Sequence, residues 1–235
     1  MSGGGVAARW MFPEGHPHAR YVPLLLALTF LSGLVDAVSF LGLGRVFVAN
    51  MTGNVVFLGF ALAGAAQLSA VAALAALAGF VAGAVAGGAL RREEEPSRVV
   101  VPLASAQALL LAAALTGQAA GWGRYAVLVP LACGMGLQNA LVHRLGVPDL
   151  TTTVMTRTLT GLAVDRPGPA TLRRGLSVVT LAAGAFTGGV LHARLGAEGA
   201  LTAALALLLA VVLTARRHAD GTAGGPGQAG DHVTG

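Results

Sequence analysis

The chain has 235 residues, of which 55% are hydrophobic and 11% are charged, whereas soluble domains contain about 25% charged residues. This composition excludes an ordinary soluble domain and indicates an integral membrane protein. All the basic residues are arginines, and they are spread over loops and termini rather than along one stripe, so we expect no nucleic-acid partner. In a protein with several spans, a basic excess such as this formal charge of +5 is typical of loops that face anionic lipid.

Few residues suggest bound groups or catalysis. The single cysteine, Cys133, excludes an intramolecular disulfide and a multi-cysteine metal site, and we interpret it as a small buried hydrophobe. His143 and His192 have no metal-ligand spacing with the acids. The motifs His-Glu-x-x-His, Gly-x-Ser-x-Gly and Gly-x-x-x-x-Gly-Lys do not occur, so nothing supports a hydrolase or an ATP-driven pump. We therefore predict no enzymatic activity, no metal and no cofactor.

The chain divides into one membrane domain and two tails. Residues 1–20 and 218–235 are rich in small and polar residues and are predicted to be disordered, which leaves 21–217 as a single helical membrane domain. Apolar runs long enough to cross about 30 Å of hydrocarbon recur along this domain. The predicted long spans are Val22–Gly44, Leu68–Leu90, Val99–Ala120, Ala126–Leu145, Leu172–Leu195 and Gly199–Thr214.

Two further elements, 46–64 and 147–164, are shorter or more polar than the spans. The first contains Asn50, Gly53 and Asn54, and the second contains six threonines and Arg157. Their polar groups need partners in hydrocarbon, so each element is either a polar-lined span or a re-entrant helix. Glycines four residues apart elsewhere predict close helix packing; these are Gly79, Gly83, Gly87, Gly184 and Gly188.

The chain resembles itself after a shift of about 104 residues. Asp36 then falls on Asn139 and Asn54 on Thr158, while Gly79 and Gly83 fall on Gly184 and Gly188. The two halves, 21–120 and 123–217, have the same order of elements: a long span, a short polar element, a Gly-xxx-Gly span and a final span. The order of the elements supports the repeat more strongly than the individual identities.

Arginine placement indicates whether the short elements cross. If all eight elements cross, the arginines divide eight to six between the two sides; if both short elements are re-entrant, they divide eleven to three. The positive-inside rule favours the second arrangement, with both termini cytoplasmic. We therefore predict an all-α polytopic protein with about six full transmembrane helices and two short, re-entrant helical elements in an inverted repeat. Such repeats are typical of transporters and some channels with a site near the midplane.

Asp36 is the one acid in the middle of an apolar run. A charge there costs at least about 2.5–3.5 kcal/mol on insertion scales, so Asp36 is expected to face the bundle interior.

Asn50 and Asn54 are expected near Asp36 and opposite the segment Thr153 to Thr158. Interhelical hydrogen bonding is the structural alternative for these amides, and threonine hydroxyls can bond their own helix. The predicted substrate or ion pathway comprises Asp36, Asn50, Thr52, Asn54, Gln138, Asn139, Thr153, Thr156 and Thr158.

Arg157 is costly at membrane depth. It would bind an anionic group or pair with Asp149 or Asp165, which lie at the ends of the second short element. We expect the internal ion pair.

The stretches DAVSFLGLGRVFVANMTGNVVFLG, from Asp36 to Gly59, and VPDLTTTVMTRTLTGLA, from Val147 to Ala163, resemble the YoaK-type family of bacterial membrane proteins, a family of unknown function. The resemblance covers roughly Tyr21 to Arg217, and its Asn-Met-Thr-Gly-Asn core is quite specific. It implies a bacterial inner-membrane protein with about six helices and no established activity. Arg157 departs from the family pattern, which has glycine after the Met-Thr of the second half.

The polar residues at membrane depth suggest a function. Their repeat-related placement favours a small secondary transporter or channel-like permease for a small polar solute or ion in the bacterial inner membrane. The alternative is a non-transporting scaffold or partner-binding protein whose buried polar residues only fix helix register. Beyond the lipid bilayer and such a solute, the sequence indicates no partner, and it leaves a homo-oligomer open.

Overall fold

A computed structural model describes residues 18–89, 96–148 and 155–223. Within these ranges the regular structure is helical, after a 3-10 turn at Ala19–Tyr21. The α-helices are α1 (Val22–Gly42), α2 (Met51–Leu62), α3 (Ala70–Ala89), α4 (Pro96–Ala119), α5 (Arg124–Leu145), α6 (Met155–Val164) and α7 (Pro169–Ala223). The predicted all-α, polytopic fold is confirmed. Helix α7 extends into the expected C-terminal tail, and residues 1–17 and 224–235 lie outside the described ranges.

Helix α7 consists of two arms. Its apolar portion, Pro169–Arg217, has 49 residues and would be about 74 Å long as a straight helix, more than twice the hydrocarbon thickness. At Gly196, φ is 71° and ψ is −175°, a conformation that glycine adopts most easily. The first arm, 169–195, and the second arm, 197–223, are therefore two spans. Together with the four other long apolar helices, α1, α3, α4 and α5, they make six.

Glycines bring distant spans into close and parallel contact. A Cβ on Gly184 would overlap the carbonyl oxygen of Phe30, and a Cβ on Gly188 would lie 2.6 Å from that of Leu34. The first arm of α7 therefore runs parallel to α1. Similarly, a Cβ on Gly79 would lie 3.1 Å from the Val129 oxygen.

A Cβ on Gly83 would overlap the Cys133 carbonyl oxygen, one turn further along both helices, so α3 runs parallel to α5. Each pair joins the first span of one half to the Gly-xxx-Gly span of the other. Small residues permit this close approach of helix backbones.

The remaining contacts establish the direction of each span. Gln138 on α5 bonds Leu28 and Ser32 on α1. Met135, nearly one turn earlier on α5, lines a small cavity with Val35, which lies later on α1. Helices α1 and α5 are therefore antiparallel. Helix α4 is antiparallel to α5, because Gly134 faces Gln107 and Gly117 faces Val127. Arg216, toward the end of the second arm of α7, bonds Ser105 in the first half of α4 at 3.5 Å, so this arm ends on the side where α4 begins.

These directions show that neither short helix crosses the bundle, as expected for re-entrant elements. We call the side where α1 begins the terminal side, because α7 also ends there, and the other side the opposite side. The chain leaves α1 and enters α3 on the opposite side, so 43–69 does not cross the bundle. It leaves α5 and enters α7 on the terminal side, so the stretch that contains α6 does not cross either. The two halves thus form an inverted repeat with six spans.

The structure corrects the register of the repeat by one helical turn. Gly33 packs on the backbone of Leu181 and Ala185, and its counterpart Gly136 packs on that of Phe80 and Ala84. The contacted helices therefore align with a difference of 101 residues, Phe80 with Leu181 and Ala84 with Ala185. This alignment places Gly83 on Gly184, whereas the sequence comparison placed Gly79 there. A Gly-xxx-Gly pattern matches itself after a four-residue shift, so residue identities alone do not determine the register.

We expect Gly83→Ala to destabilise the protein, because its Cβ would overlap the Cys133 backbone. Overpacking of this kind costs about 1–3 kcal/mol. Gly88→Ala on the same helix is the matched control, since a Cβ there meets nothing within 4 Å. Both changes raise the helix propensity by the same amount. The difference between the melting temperatures of the two variants in detergent therefore reports the steric overlap at Gly83. Equal melting temperatures would contradict the close packing.

Cysteine labelling tests the re-entrant topology. In a Cys133→Ala background, Gln67→Cys and Arg166→Cys, both at exposed positions, are expected to react with a membrane-impermeant maleimide from opposite sides of the membrane. If both short elements crossed, the two positions would lie on the same side. Labelling of both from one side, in right-side-out and inverted vesicles, would therefore reject the inverted repeat.

Candidate functional site

A non-helical segment, 43–50, lies between α1 and α2. Four of its side chains are buried, with exposed fractions of 3% for Leu43, 1% for Val46, 0% for Val48 and 3% for Ala49. Buried main-chain groups need hydrogen-bond partners, and non-helical backbone at membrane depth persists only where the protein supplies them. The segment therefore depends on side chains from the neighbouring helices.

Asp36 supplies one set of these partners. Its Oδ1 accepts hydrogen bonds from the Val48 N–H at 2.8 Å and from the Ala49 N–H at 2.7 Å. Hydrogen bonds to a carboxylate are stronger than those between neutral groups. Asp36 lies six residues before the end of α1, so the segment enters the bundle by about 9 Å. The carboxylate also lies just before the start of α2, where the helix dipole favours negative charge.

Asn54 supplies the other set. Its Oδ1 accepts from the Phe47 N–H at 2.9 Å, and its Nδ2 donates to the Phe47 carbonyl at 2.6 Å. The Asn54 amide thus makes the same pair of hydrogen bonds to Phe47 that an adjacent β-strand would make. Asn54 is fully buried, and together with Asp36 it satisfies three successive N–H groups, at residues 47, 48 and 49.

Aromatic packing explains the glycine of the Asn-Met-Thr-Gly-Asn motif. The Phe47 ring stacks on Phe40 and Phe57, with ring centroids 5.1 and 5.6 Å apart. A Cβ on Gly53 would lie 2.8 Å from that ring, so glycine makes room for it. Asn50 and Thr52, also in the motif, are exposed.

The structure brings together some of the predicted pathway residues. Asp36 and Asn54 bind the same segment, but α2 packs against α3 and α6 packs against α7. The two short helices enter from opposite sides, and no extensive contact joins them within the described residues. On α6, Thr156 is exposed and Thr158 is buried. Thr153 lies outside the described ranges, so its expected position opposite Asn54 stays a prediction.

A second polar cluster lies in the centre of the bundle. The Gln138 Nε2 donates to Ser32 Oγ at 2.8 Å and to the Leu28 carbonyl at 3.2 Å, and the Gln138 Oε1 accepts from Gln107 Nε2 at 2.8 Å. Ser32 in turn donates to Leu28. All three side chains are buried, and they join α1, α5 and α4. The sequence reasoning missed Gln107, although a glutamine within the apolar run of α4 was a visible signal.

A groove lies beside Asn139 near the terminal side of α5. Its volume is about 620 Å³. The residues that line it are Phe80, Ala84, Gly88, Asn139, Ala140, His143 and Arg144. Asn139 Nδ2 donates to the Met135 carbonyl on its own helix at 3.0 Å. The groove therefore extends from Asn139, a predicted pathway residue, to Arg144 near the terminal side.

The ion pair at α6 involves an arginine that the sequence reasoning did not select. Asp165 pairs with Arg174 of α7, while Arg157 is exposed and Asp149 lies outside the described ranges. Gly161 allows this pairing, because the Arg174 guanidinium occupies the space that a Cβ there would need.

The bonding of Asp36 predicts an order of stability. Asp36→Ala removes the acceptor of two buried N–H groups, each of which costs about 1–3 kcal/mol when left unsatisfied. Asp36→Asn keeps an acceptor oxygen and loses the charge, so we expect melting temperatures in the order wild type, Asp36→Asn, Asp36→Ala. Asn50→Ala, at an exposed position, is the control and should melt like the wild type. An Asp36→Ala variant as stable as Asn50→Ala would show that these bonds do not hold the segment.

Comparisons with known proteins agree with the helical membrane fold. A family model described as "Protein of unknown function (DUF1275)" matches residues 24–214. The "UPF0700 transmembrane protein YoaK" of Bacillus subtilis (strain 168) is 35% identical over 156 residues, which are 64% of this chain and 69% of that protein. No solved structure matches the chain. The resemblance to the YoaK-type family is thus confirmed, and the chain belongs to the DUF1275 family of proteins of unknown function.

Proposed function

We propose that the protein is a small secondary transporter or channel-like permease for a small polar solute or ion. The observation that carries this proposal is the inverted repeat, in which each half contains a short helix that returns to the side from which it came. Inverted repeats with short or broken helices at matching positions are typical of proteins that move solutes through a site between the halves.

A line of polar side chains supports a route through the bundle. Asp36 lies one helical turn from Ser32 on α1, and Ser32 bonds Gln138 of α5. Asn139, the next residue, lines the groove near the terminal side. Polar groups inside a membrane bundle commonly mark solute or ion pathways, and these residues extend from the re-entrant segment to the groove. We assign them binding roles and no catalytic role.

Arginine placement supports an orientation. Of the described arginines, three lie toward the opposite side: Arg45, Arg124 and Arg194. The other nine lie toward the terminal side: Arg20, Arg98, Arg144, Arg157, Arg166, Arg173, Arg174, Arg216 and Arg217. By the positive-inside rule, the terminal side is cytoplasmic, and the protein resides in the bacterial cytoplasmic membrane with both termini inside.

A scaffold without transport is the second candidate. It is favoured by the hydrogen bonds of Asp36 and Asn54, which all go to the protein's own backbone or to Met51. In this candidate, the buried polar residues hold helices in register, as interhelical hydrogen bonds do in many bundles.

Solute flux in proteoliposomes separates the two candidates. We expect wild-type vesicles to take up at least one of glycerol, urea, sodium acetate and sodium benzoate faster than protein-free vesicles, measured by stopped-flow light scattering. Gln138→Leu interrupts the polar line and should slow this uptake at least about tenfold, a barrier of about 1.4 kcal/mol. Gln118→Leu, near the end of α4 and away from that line, is the matched control. Size-exclusion chromatography verifies that both variants are folded.

Two outcomes would count against the permease. If no solute enters faster than in protein-free vesicles, the scaffold is favoured. If Gln138→Leu and Gln118→Leu transport equally well, the proposed route is wrong.

A further inference from the structure

One buried side-chain oxygen in the middle of the bundle accepts no hydrogen bond from the part of the chain that the structure describes. This oxygen is Oε1 of Gln107 on α4, and only 4% of the residue is exposed. A buried acceptor without a donor is costly, and native proteins seldom leave one in that condition. The oxygen therefore calls for a donor from outside the chain.

The neighbouring hydrogen bonds determine how the Gln107 amide is oriented. Gln138 Nε2 donates to the Leu28 carbonyl at 3.2 Å, and a carbonyl oxygen can only accept. The Gln138 Oε1 therefore faces α4, where Gln107 Nε2 donates to it at 2.8 Å. The same Nε2 lies 3.7 Å from the Met135 sulfur. Turning the Gln107 amide over would place two oxygens against each other, so Oε1 is the atom that remains without a partner.

Gln107 lines a small cavity between α1, α4 and α5. The volume of this cavity is about 10 Å³, close to the smallest space that holds one water molecule, about 10–15 Å³. Leu31, Val35 and Leu111 form apolar walls, and all three are buried. Gln107 has the only amide side chain among the described residues that line the cavity. Because its Nε2 already donates to Gln138, its oxygen is the group that can bind an occupant.

The chemistry of the lining residues selects a neutral donor. Besides Gln107 Oε1, the Met135 sulfur provides a weak acceptor. Pro130 has no N–H group to offer, and the described lining residues include no charged side chain. An ion would have no compensating charge in this cavity, and burying an uncompensated charge is costly. The cavity is therefore suited to a neutral molecule of the size of water that donates hydrogen bonds.

We infer that this cavity is a binding site for one water molecule. The water donates a hydrogen bond to Gln107 Oε1 and has the Met135 sulfur as a second, weak acceptor. It completes the buried cluster of Ser32, Gln138 and Gln107, which joins α1, α5 and α4. Buried waters of this kind are part of a protein's structure and are costly to remove. The inference goes beyond the proposed function and applies equally to a permease and to a scaffold.

A crystal structure of the full-length protein, at a resolution that reveals ordered water, tests the site directly. We expect electron density in the cavity at hydrogen-bonding distance from Gln107 Oε1, about 2.5–3.0 Å. Absence of density there, in a map that shows other ordered waters, would overturn the inference.

A double-mutant cycle tests what the water contributes to stability. Val35→Ile adds a methyl group at the cavity wall and should displace the water, which leaves Gln107 Oε1 without a donor. We expect the melting temperature of the full-length protein in detergent to fall by at least about 2 °C. Gln107→Met keeps a side chain of similar volume and removes the oxygen. In that background the cavity is dry, so Val35→Ile should leave the melting temperature unchanged or raise it.

Val38→Ile is the matched control, because Val38 is fully buried on the same helix but does not line the cavity. It should change the melting temperature equally in the wild-type and Gln107→Met backgrounds. Two results would contradict the bound water: a higher melting temperature when Val35→Ile is introduced into the wild type, or the same change from Val35→Ile in both backgrounds. If a variant fails to fold, the wild-type crystal structure decides alone.

Discussion

The structure depends on how the protein satisfies the main chain of residues 43–50, which is partly buried but not helical. In a membrane, an unsatisfied peptide group costs several kcal/mol, so this segment exists only because Asp36 and Asn54 bond its N–H groups. The segment in turn allows α2 to start inside the bundle and to return to its side of entry. That return makes the number of spans in the first half odd, and the odd number inverts the second half. A few hydrogen bonds therefore underlie the topology of the whole chain.

The two halves share a framework but differ in chemistry. Helix α2 exposes apolar side chains such as Val55, Phe60 and Leu62, as a lipid-facing helix does. Helix α6 exposes Thr156, Arg157 and Thr160, and it packs against α7. The symmetry thus applies to the backbone, while the exposed side chains of α6 are more polar than those of α2.

Much of this architecture could be predicted from the sequence, because the length of an apolar run indicates a membrane span and the distribution of arginines indicates which loops share a side. Asp36 was identified as an interior residue because an isolated acid in an apolar run has few stable positions. Its partners were not predictable, since backbone N–H groups leave no mark in the sequence. Gln107 was overlooked for a related reason: its partner Gln138 is 31 residues away, and only the packing of α4 on α5 brings them together. Asp165 pairs with Arg174 because Gly161 leaves room for a guanidinium, which no charge pattern reveals.

The parallel pairs formed by Gly184 with α1 and by Gly83 with α5 have a consequence for biogenesis. Each tight pair combines the first span of one half with the Gly-xxx-Gly span of the other. The glycine-mediated partner of each of these four spans therefore belongs to the other half. During synthesis, α1 is made before the arm of α7 that covers it, with about 130 residues between them. Until then, the face of α1 that packs on Gly184 and Gly188 lacks its partner. The two halves consequently depend on each other for their tightest packing, and the bundle is complete only when α7 is in place.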